Sequence, residues 1–466
     1  MRRGPALVVA KVSQAGLTSQ VGNLPESSHP LHLDIRRRLF HGSSWNTVAV
    51  AASSGSVFLS SVLLAKALER SDFGRLSLVR STLMTIAAVA PLATGLAAMK
   101  FMAELRDQDR PRAGRILGLC LLISLGAGLL GVVGLFVGAP AIATGFLKSP
   151  DVAVLMRLAA AGVLFHILSS FFISILSGAE AYRSLAKANI GAGVVLLVVV
   201  PGAAFFLGLK AAAAALTAGA AVQSLVLLRA ARMELRRRGI RLQARGLKAD
   251  AGIVGSFILP AAVCGLTAMP AQWFASSFLA RQSGGFAELA LFTAGVSLRN
   301  LVLFLPGVIA SVGAAVFNAE KGRNDETASR SAFVETLKTT AVISLLAGLP
   351  VVLLAQPLLR LFGPSFEAGT AVLRVLVISA IVEALAIVVS QVPVAAGRMW
   401  IYLVFVVVPR DVSLAGVGWA LVPTYGAMGL AFAWAVAQLL ALGLGAVCAV
   451  VVIQRERIRR SSGFTE

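Results

Sequence analysis

The chain has 466 residues, 58% of them apolar and only 14% charged, with 42 Lys and Arg against 21 Asp and Glu for a net charge of +21. Soluble domains carry about 25% charged residues, so this composition excludes an ordinary globular protein and makes the bilayer the solvent. The positive charge is broken into short segments without interleaved aromatic residues, which excludes a nucleic-acid surface.

The first 43 residues differ from the rest. Arg2 and Arg3 precede an apolar run that is too short for a signal peptide and is interrupted by Lys11. Residues 13–30 carry Ser, Gly and Pro and are expected to be disordered. Residues 31–41 (LHLDIRRRLFH) fit either an amphipathic helix on the inner leaflet or a continuation of the loose tail.

Twelve apolar runs follow: 44–67, 76–99, 116–138, 152–176, 188–207, 209–228, 252–280, 288–316, 334–355, 370–391, 400–422 and 426–453. They are numbered here as spans 1 to 12. Most reach the ~20 apolar residues that a helix needs to cross the hydrocarbon core. They are continuously apolar rather than alternating, so they are helices and not barrel strands. A bilayer leaves no other open-chain way to satisfy the backbone.

Lys and Arg alternate sides along these spans. The N-terminus, residues 100–115, 177–187, 229–250, 317–338 and 392–399 and the C-terminus together hold 30 of them, and the opposite loops hold 7. That asymmetry predicts a cytoplasmic location for the basic side and for both termini. Contact with anionic membrane lipid accounts for the rest of its use. Loops of at most about 20 residues leave no room for a soluble catalytic domain. Cys120, Cys264 and Cys448 fall in separate spans without ligand spacing and read as small hydrophobes, so no metal and no cofactor is expected.

The chain also repeats itself. Residues 140–178 align without gaps on 357–395, pairing Pro140 with Pro357, Arg157 with Arg374 and His166 with Glu383. Residues 61–76 echo 277–289, and Pro91 and Pro306 fall within the helices that follow. The expectation is an all-α membrane protein of twelve transmembrane helices in two six-helix lobes, 44–228 and 252–453, related by a parallel pseudo-twofold repeat. Residues 229–251 form a basic cytoplasmic linker, expected to lie on lipid headgroups, and 454–466 a cytoplasmic tail.

Several phrases carry a family likeness: LLAKALERSDFGRLSLV, AMKFMAELRDQDRPRAGRILGL, LSGAEAYRSLAKANI, LFGPSFEAGTAVLRVLVISA, VAAGRMWIYL and LVPTYGAMGLAFAWAVAQLL. In this order and spacing, over about residues 45–445, the chain resembles the bacterial polysaccharide flippases of the multidrug/oligosaccharidyl-lipid/polysaccharide exporter superfamily. The Pro-Arg-Asp at 409–411 in span 11 departs from the family pattern. The resemblance implies two lobes around a central cavity lined mainly by spans 1, 2, 7 and 8. It implies transport of an undecaprenyl-diphosphate-linked oligosaccharide to the outer leaflet of the bacterial plasma membrane, alongside other polysaccharide-assembly proteins.

Ionisable groups at bilayer depth are costly and so are functional candidates. Arg299 in span 8 and Arg80 in span 2 would face such a cavity and suit a diphosphate, because the guanidinium fork binds phosphate bidentately. Each has a second reading. Arg299 could belong to a buried structural pair, and Arg80 could snorkel to the outer interface. Arg157 and Arg374 fit architecture better than cargo. Lys66, Arg70 and Arg75, with Glu69 and Asp72, form a mixed-charge outer loop that is either simply solvated or a candidate outer gate with Arg281 and Glu288 of the equivalent loop. Glu383, Arg410 and Asp411 are candidates for ion or proton coupling, although Arg410 and Asp411 are adjacent, point about 100° apart and need not pair. Pro409 is expected to kink span 11.

Two rivals remain. A proton- or sodium-coupled drug antiporter of the same superfamily needs a titratable acid in the cavity, and spans 1, 2 and 7 have none. A membrane glycosyltransferase or polymerase needs an outer loop with acid/base groups, and the outer loops are short.

Overall fold

The computed structural model describes residues 51, 54–91, 93–243, 250, 252–253, 258, 262, 267–322 and 326–461. The readings made for residues 1–43 lie outside these residues. Among the described residues all regular structure is helical. The helices are α1 (Ser54–Ala67), α2 (Arg70–Val89), α3 (Thr94–Leu105), α4 (Arg110–Pro140), α5 (Asp151–Ala159), α6 (Gly162–Gly178) and α7 (Tyr182–Arg237). In the second half they are α8 (Ala268–Ala280), α9 (Gly285–Gly322), α10 (Glu326–Leu353), α11 (Ala355–Arg360), α12 (Thr370–Ala395), α13 (Met399–Tyr402) and α14 (Val408–Ser461). Among the described residues seven helices are long and apolar enough to cross a membrane, or eight if α2 and α3 form one bent span.

The breaks have local chemical causes. α7 and α14 are each two helices meeting at a glycine: Gly208 at φ 78°, between expected spans 5 and 6, and Gly426 at φ 52°, between expected spans 11 and 12. A side chain is strained at such a φ, so glycine marks the corner. Span 2, expected to be continuous, is bent by 50° between α2 and α3. Pro91 supplies no backbone donor there, and Ala93 takes φ 59°. Pro306, its counterpart in the sequence repeat, sits inside an unbroken α9. In span 11 a π turn, Leu403–Val407, precedes Pro409. Proline cannot donate to the carbonyl four residues back, and the wider turn accommodates it.

One buried cluster runs through both halves, from Phe73, Leu83 and Met156 to Leu279, Phe292 and Leu376. A second one, with Met102, Ile116, Phe171 and Leu227, fills the first half toward the end that carries the basic loops. That end is termed the basic end below, and the opposite one the distal end.

The linker departs from the expected headgroup helix. α7 continues out to Arg237, and Gly239 then turns the chain. Residues 241–243 lie across α4, where Gln243 donates its N–H to the Gly114 carbonyl at 3.1 Å. A Cβ on Gly114 or Gly118 would collide with the carbonyls of Arg241 and Gln243, so two glycines one turn apart open the groove that takes this segment. Arg112 and Arg115 then hold the buried Asp250 carboxylate at 3.3 and 3.0 Å. The described part of the linker is fastened to the first half by backbone and ion-pair contacts.

Candidate functional site

α1, α2, α8 and α9 enclose a cavity of about 270 Å³, closed on one side by Trp434 of α14. Its polar lining includes Ser61, Ser77, Gln272, Thr293, Ser297 and Asn300, and its cation is Arg80. No Asp or Glu is among the described lining residues. Ser77, Arg80 and Met84 follow the three-and-four spacing of one helix face, which is why α2 presents them together. Arg80 has no hydrogen bond or ion pair among the described residues, and His166 of α6 lies within its electrostatic reach.

Contacts between the two halves seal the distal end. The Gly74 backbone lies so close to Phe286 that a Cβ would fall on the Phe286 carbonyl oxygen. Phe58 meets Phe362 edge-on at 5.9 Å, and Phe73 meets Phe366 at 5.8 Å. Arg70 donates to the Ser365 carbonyl at 3.0 Å, and Arg75 stacks over Phe286 at 5.5 Å. Nearer mid-depth, Trp273 Nε1 donates to Thr82 Oγ1 at 2.8 Å, and the Ser61 and Ser297 hydroxyls are 3.2 Å apart. The turn carrying Phe366 is braced by Glu367, which accepts from Arg360 at 2.6 Å and Gln356 at 2.7 Å. The hydrogen bond from Arg360, then that from Gln356, holds the Glu367 carboxyl below its ordinary value.

Of the charged gate expected from the sequence, Arg70 and Arg75 reach the second half, but through a carbonyl and a ring rather than through Arg281 and Glu288. Lys66 is exposed, and Arg281 stacks on Phe278 of its own helix at 5.5 Å. Glu288 instead accepts the Ala427 backbone N–H at 3.1 Å and caps the helix that starts after Gly426. Nothing in an apolar sequence distinguishes a sealing Phe58 or Phe366, or the cavity wall Trp434, from any other span residue, so sequence reasoning missed them.

Arg299 needs the largest correction. It does not line the cavity, whereas its neighbour Asn300 does. Adjacent helical residues diverge by about 100°, and Arg299 turns into its own half. There it is 3% exposed, ion-paired with Glu383 of α12 and stacked on Trp434 at 4.9 Å. This is the buried-pair reading, and it occupies Glu383 as well. Arg410 and Asp411, which need not have paired, do pair: Nε to Oδ1 is 2.8 Å, with Asp411 buried. The long Arg side chain folds back because burial offers the carboxylate little else. Arg157 Nε donates to the Phe136 carbonyl at 3.3 Å and Arg374 Nε to that of Val352 at 3.4 Å, so each ties its helix to the end of the preceding one. Among the described residues no His, Cys, Asp and Glu cluster is arranged to hold a metal.

Against this geometry, the comparisons with known proteins fall in place. The polysaccharide biosynthesis protein family matches residues 39–318, well over half of the chain. The chain belongs to that family. The EPS I polysaccharide export inner membrane protein EpsE of Ralstonia solanacearum is 26% identical over 447 residues, covering 94% of this chain and 98% of the relative. Among solved structures, the inward-facing conformation of a multidrug resistance MATE family transporter of the MOP superfamily superposes with a TM-score of 0.71 at 16% identity. It covers 90% of this chain and 100% of that one. The lipid II flippase MurJ, inward closed, gives 0.65 at 12% identity, with 90% and 93% covered. The fold is therefore that of MOP superfamily transporters, and the matched relatives are export proteins and transporters rather than enzymes.

Proposed function

We propose that this chain is a polysaccharide flippase. It moves an undecaprenyl-diphosphate-linked oligosaccharide from the inner to the outer leaflet of the bacterial plasma membrane by alternating access. The observation that carries this is Arg80: a cation without an ion-pair partner among the described residues, on the wall of a cavity whose described lining has hydroxyls and amides but no carboxylate. A guanidinium at bilayer depth is costly until an anion compensates it, and a diphosphate supplies that charge with oxygens spaced for the guanidinium fork. The family match and the export relative point the same way. The antiporter reading is less well supported, because Glu383 and Asp411 are already engaged by Arg299 and Arg410.

The proposed frame is twelve spans in two lobes, 44–228 and 252–453, joined by the linker 229–251, with both termini cytoplasmic. Support for the repeat comes from matched details. Arg157 and Arg374 each bond a carbonyl near the end of the preceding span, 21 and 22 residues back. Gly208 and Gly426 break equivalent hairpins. An Arg on the second span lies within electrostatic range of a titratable residue on the fourth in each half, Arg80 of His166 and, as a direct ion pair, Arg299 of Glu383. The aromatic seal would part at the distal end to release cargo, and partners in polysaccharide assembly would act before and after it.

The test is Arg80→Ala, with membrane abundance and surface polysaccharide measured together. Normal abundance with at least tenfold less polysaccharide is expected, and Arg80→Lys is expected to rescue partly because it keeps charge but loses the fork. Normal polysaccharide in Arg80→Ala would remove the cation from cargo binding.

A further inference from the structure

A larger cavity lies away from the central one. It holds about 790 Å³ between the end of α12, the π turn and the last part of α14. Its walls are apolar: Phe405 stands on the π turn, facing Leu444, Val447 and Val451 of α14. Phe405 and Val447 are 64% and 62% exposed, so the groove opens sideways. Arg398 and Arg455 stand at one end. Both are exposed, and neither has an ion pair or side-chain hydrogen bond among the described residues.

The dimensions select an occupant. From Leu444 to Arg455 the helix advances eleven residues, about 16 Å at 1.5 Å per residue. One leaflet of a ~30 Å hydrocarbon core is about 15 Å deep. The groove thus spans one leaflet, with both cations at its polar end and an apolar floor beneath them. The two arginines belong to segments of the basic end, where anionic lipid concentrates.

We propose that this groove binds one anionic glycerophospholipid, with its phosphate between Arg398 and Arg455 and an acyl chain along Phe405, Val447 and Leu444. Charge-assisted contacts from two guanidiniums fix the phosphate, and the concave wall holds one chain where a flat helix surface would let it exchange. The site lies apart from the cargo cavity and does not depend on the cargo assigned to that cavity.

The test uses the full chain purified in detergent, titrated with phosphatidylglycerol or phosphatidylcholine and read by native mass spectrometry. One phosphatidylglycerol is expected to be retained at least tenfold more tightly than phosphatidylcholine. Arg398→Ala with Arg455→Ala is expected to abolish that preference. Val447→Trp, which leaves both arginines in place, is expected to weaken retention by blocking the groove. All three positions are exposed or open to the groove, and thermal unfolding of each variant checks that it is folded. Equal retention of both lipids, or wild-type retention in the folded variants, would overturn the proposal. So would retention of undecaprenyl phosphate without phosphatidylglycerol, which would give the groove to the chain of a polyprenyl cargo.

Discussion

Buried Arg299 and half-buried Glu383 form an ion pair between α9 and α12, with Trp434 stacked on the guanidinium and separating it from the central cavity. A residue that looked like a cargo ligand is thus part of the wall behind the ligand site. Its worth is tested by breaking the pair from either side. Arg299→Ala strands the Glu383 charge and is expected to destabilise the protein by about 3–5 kcal/mol, lowering both thermal midpoint and membrane abundance. Arg299→Met with Glu383→Leu removes both charges and is expected to recover most of that loss. Wild-type abundance and midpoint in Arg299→Ala would show that the pair does not support the fold.

The distal seal depends on Gly74. A side chain there has no room against the Phe286 carbonyl, so Gly74→Val forces the two halves apart at a cost of about 1–3 kcal/mol. A cysteine placed at Ser297, on the cavity wall, is expected to be labelled from the distal side several-fold faster in Gly74→Val than in the Gly74 background. Equal labelling rates would mean that another contact sets the seal.

Glu367 gives the seal a pH dependence. Its carboxyl is held below the ordinary value by Arg360 and then by Gln356. A depressed pKa in the folded state means a contribution that is present above the unfolded pKa and lost as pH falls through the folded one. The difference in thermal midpoint between wild type and Glu367→Gln is therefore expected near neutral pH and expected to vanish in acid. It is expected to be small, because Arg360 and Glu367 are solvent-accessible and screened. A difference that grows on acidification would contradict this sign.

The corner at Gly426 and its cap are separable. Gly426→Ala puts a side chain at φ 52°, at a cost of about 1–2 kcal/mol. Glu288→Ala leaves the Ala427 N–H without its acceptor, at a cost of about 0.5–2 kcal/mol, while Glu288→Gln keeps an acceptor oxygen. Thermal unfolding of the three variants is expected to rank Glu288→Gln mildest. An unchanged midpoint for Glu288→Ala would mean that the cap contributes nothing.

The orientation rests on charge and is open to direct measurement. Reporter fusions after residues 240 and 330 are expected to read as cytoplasmic, and fusions near 147 and 364 as external. An external signal at 240 would require its many neighbouring arginines to have crossed the membrane, and would invert the assignment.

The amino-acid sequence by itself determined that this chain lives in a bilayer and is helical there, because apolar runs of that length have no other stable form. It marked the irregularity of span 11 through Pro409, where a π turn precedes the proline, but not the bend at Pro91, whose sequence counterpart Pro306 sits in an unbroken helix. It also singled out Arg80 as a cation in the membrane that needs an explanation. Tertiary structure decided the partners. Whether Arg299 faces the cavity or Glu383 depends on how α9 is rotated against α12, and an apolar sequence with little polar contrast around the helix does not encode that rotation visibly. The same holds for Glu288 capping Ala427, for Arg241 and Gln243 crossing Gly114 and Gly118, and for the four phenylalanines of the seal. Each joins residues far apart in the chain, and only packing brings them together.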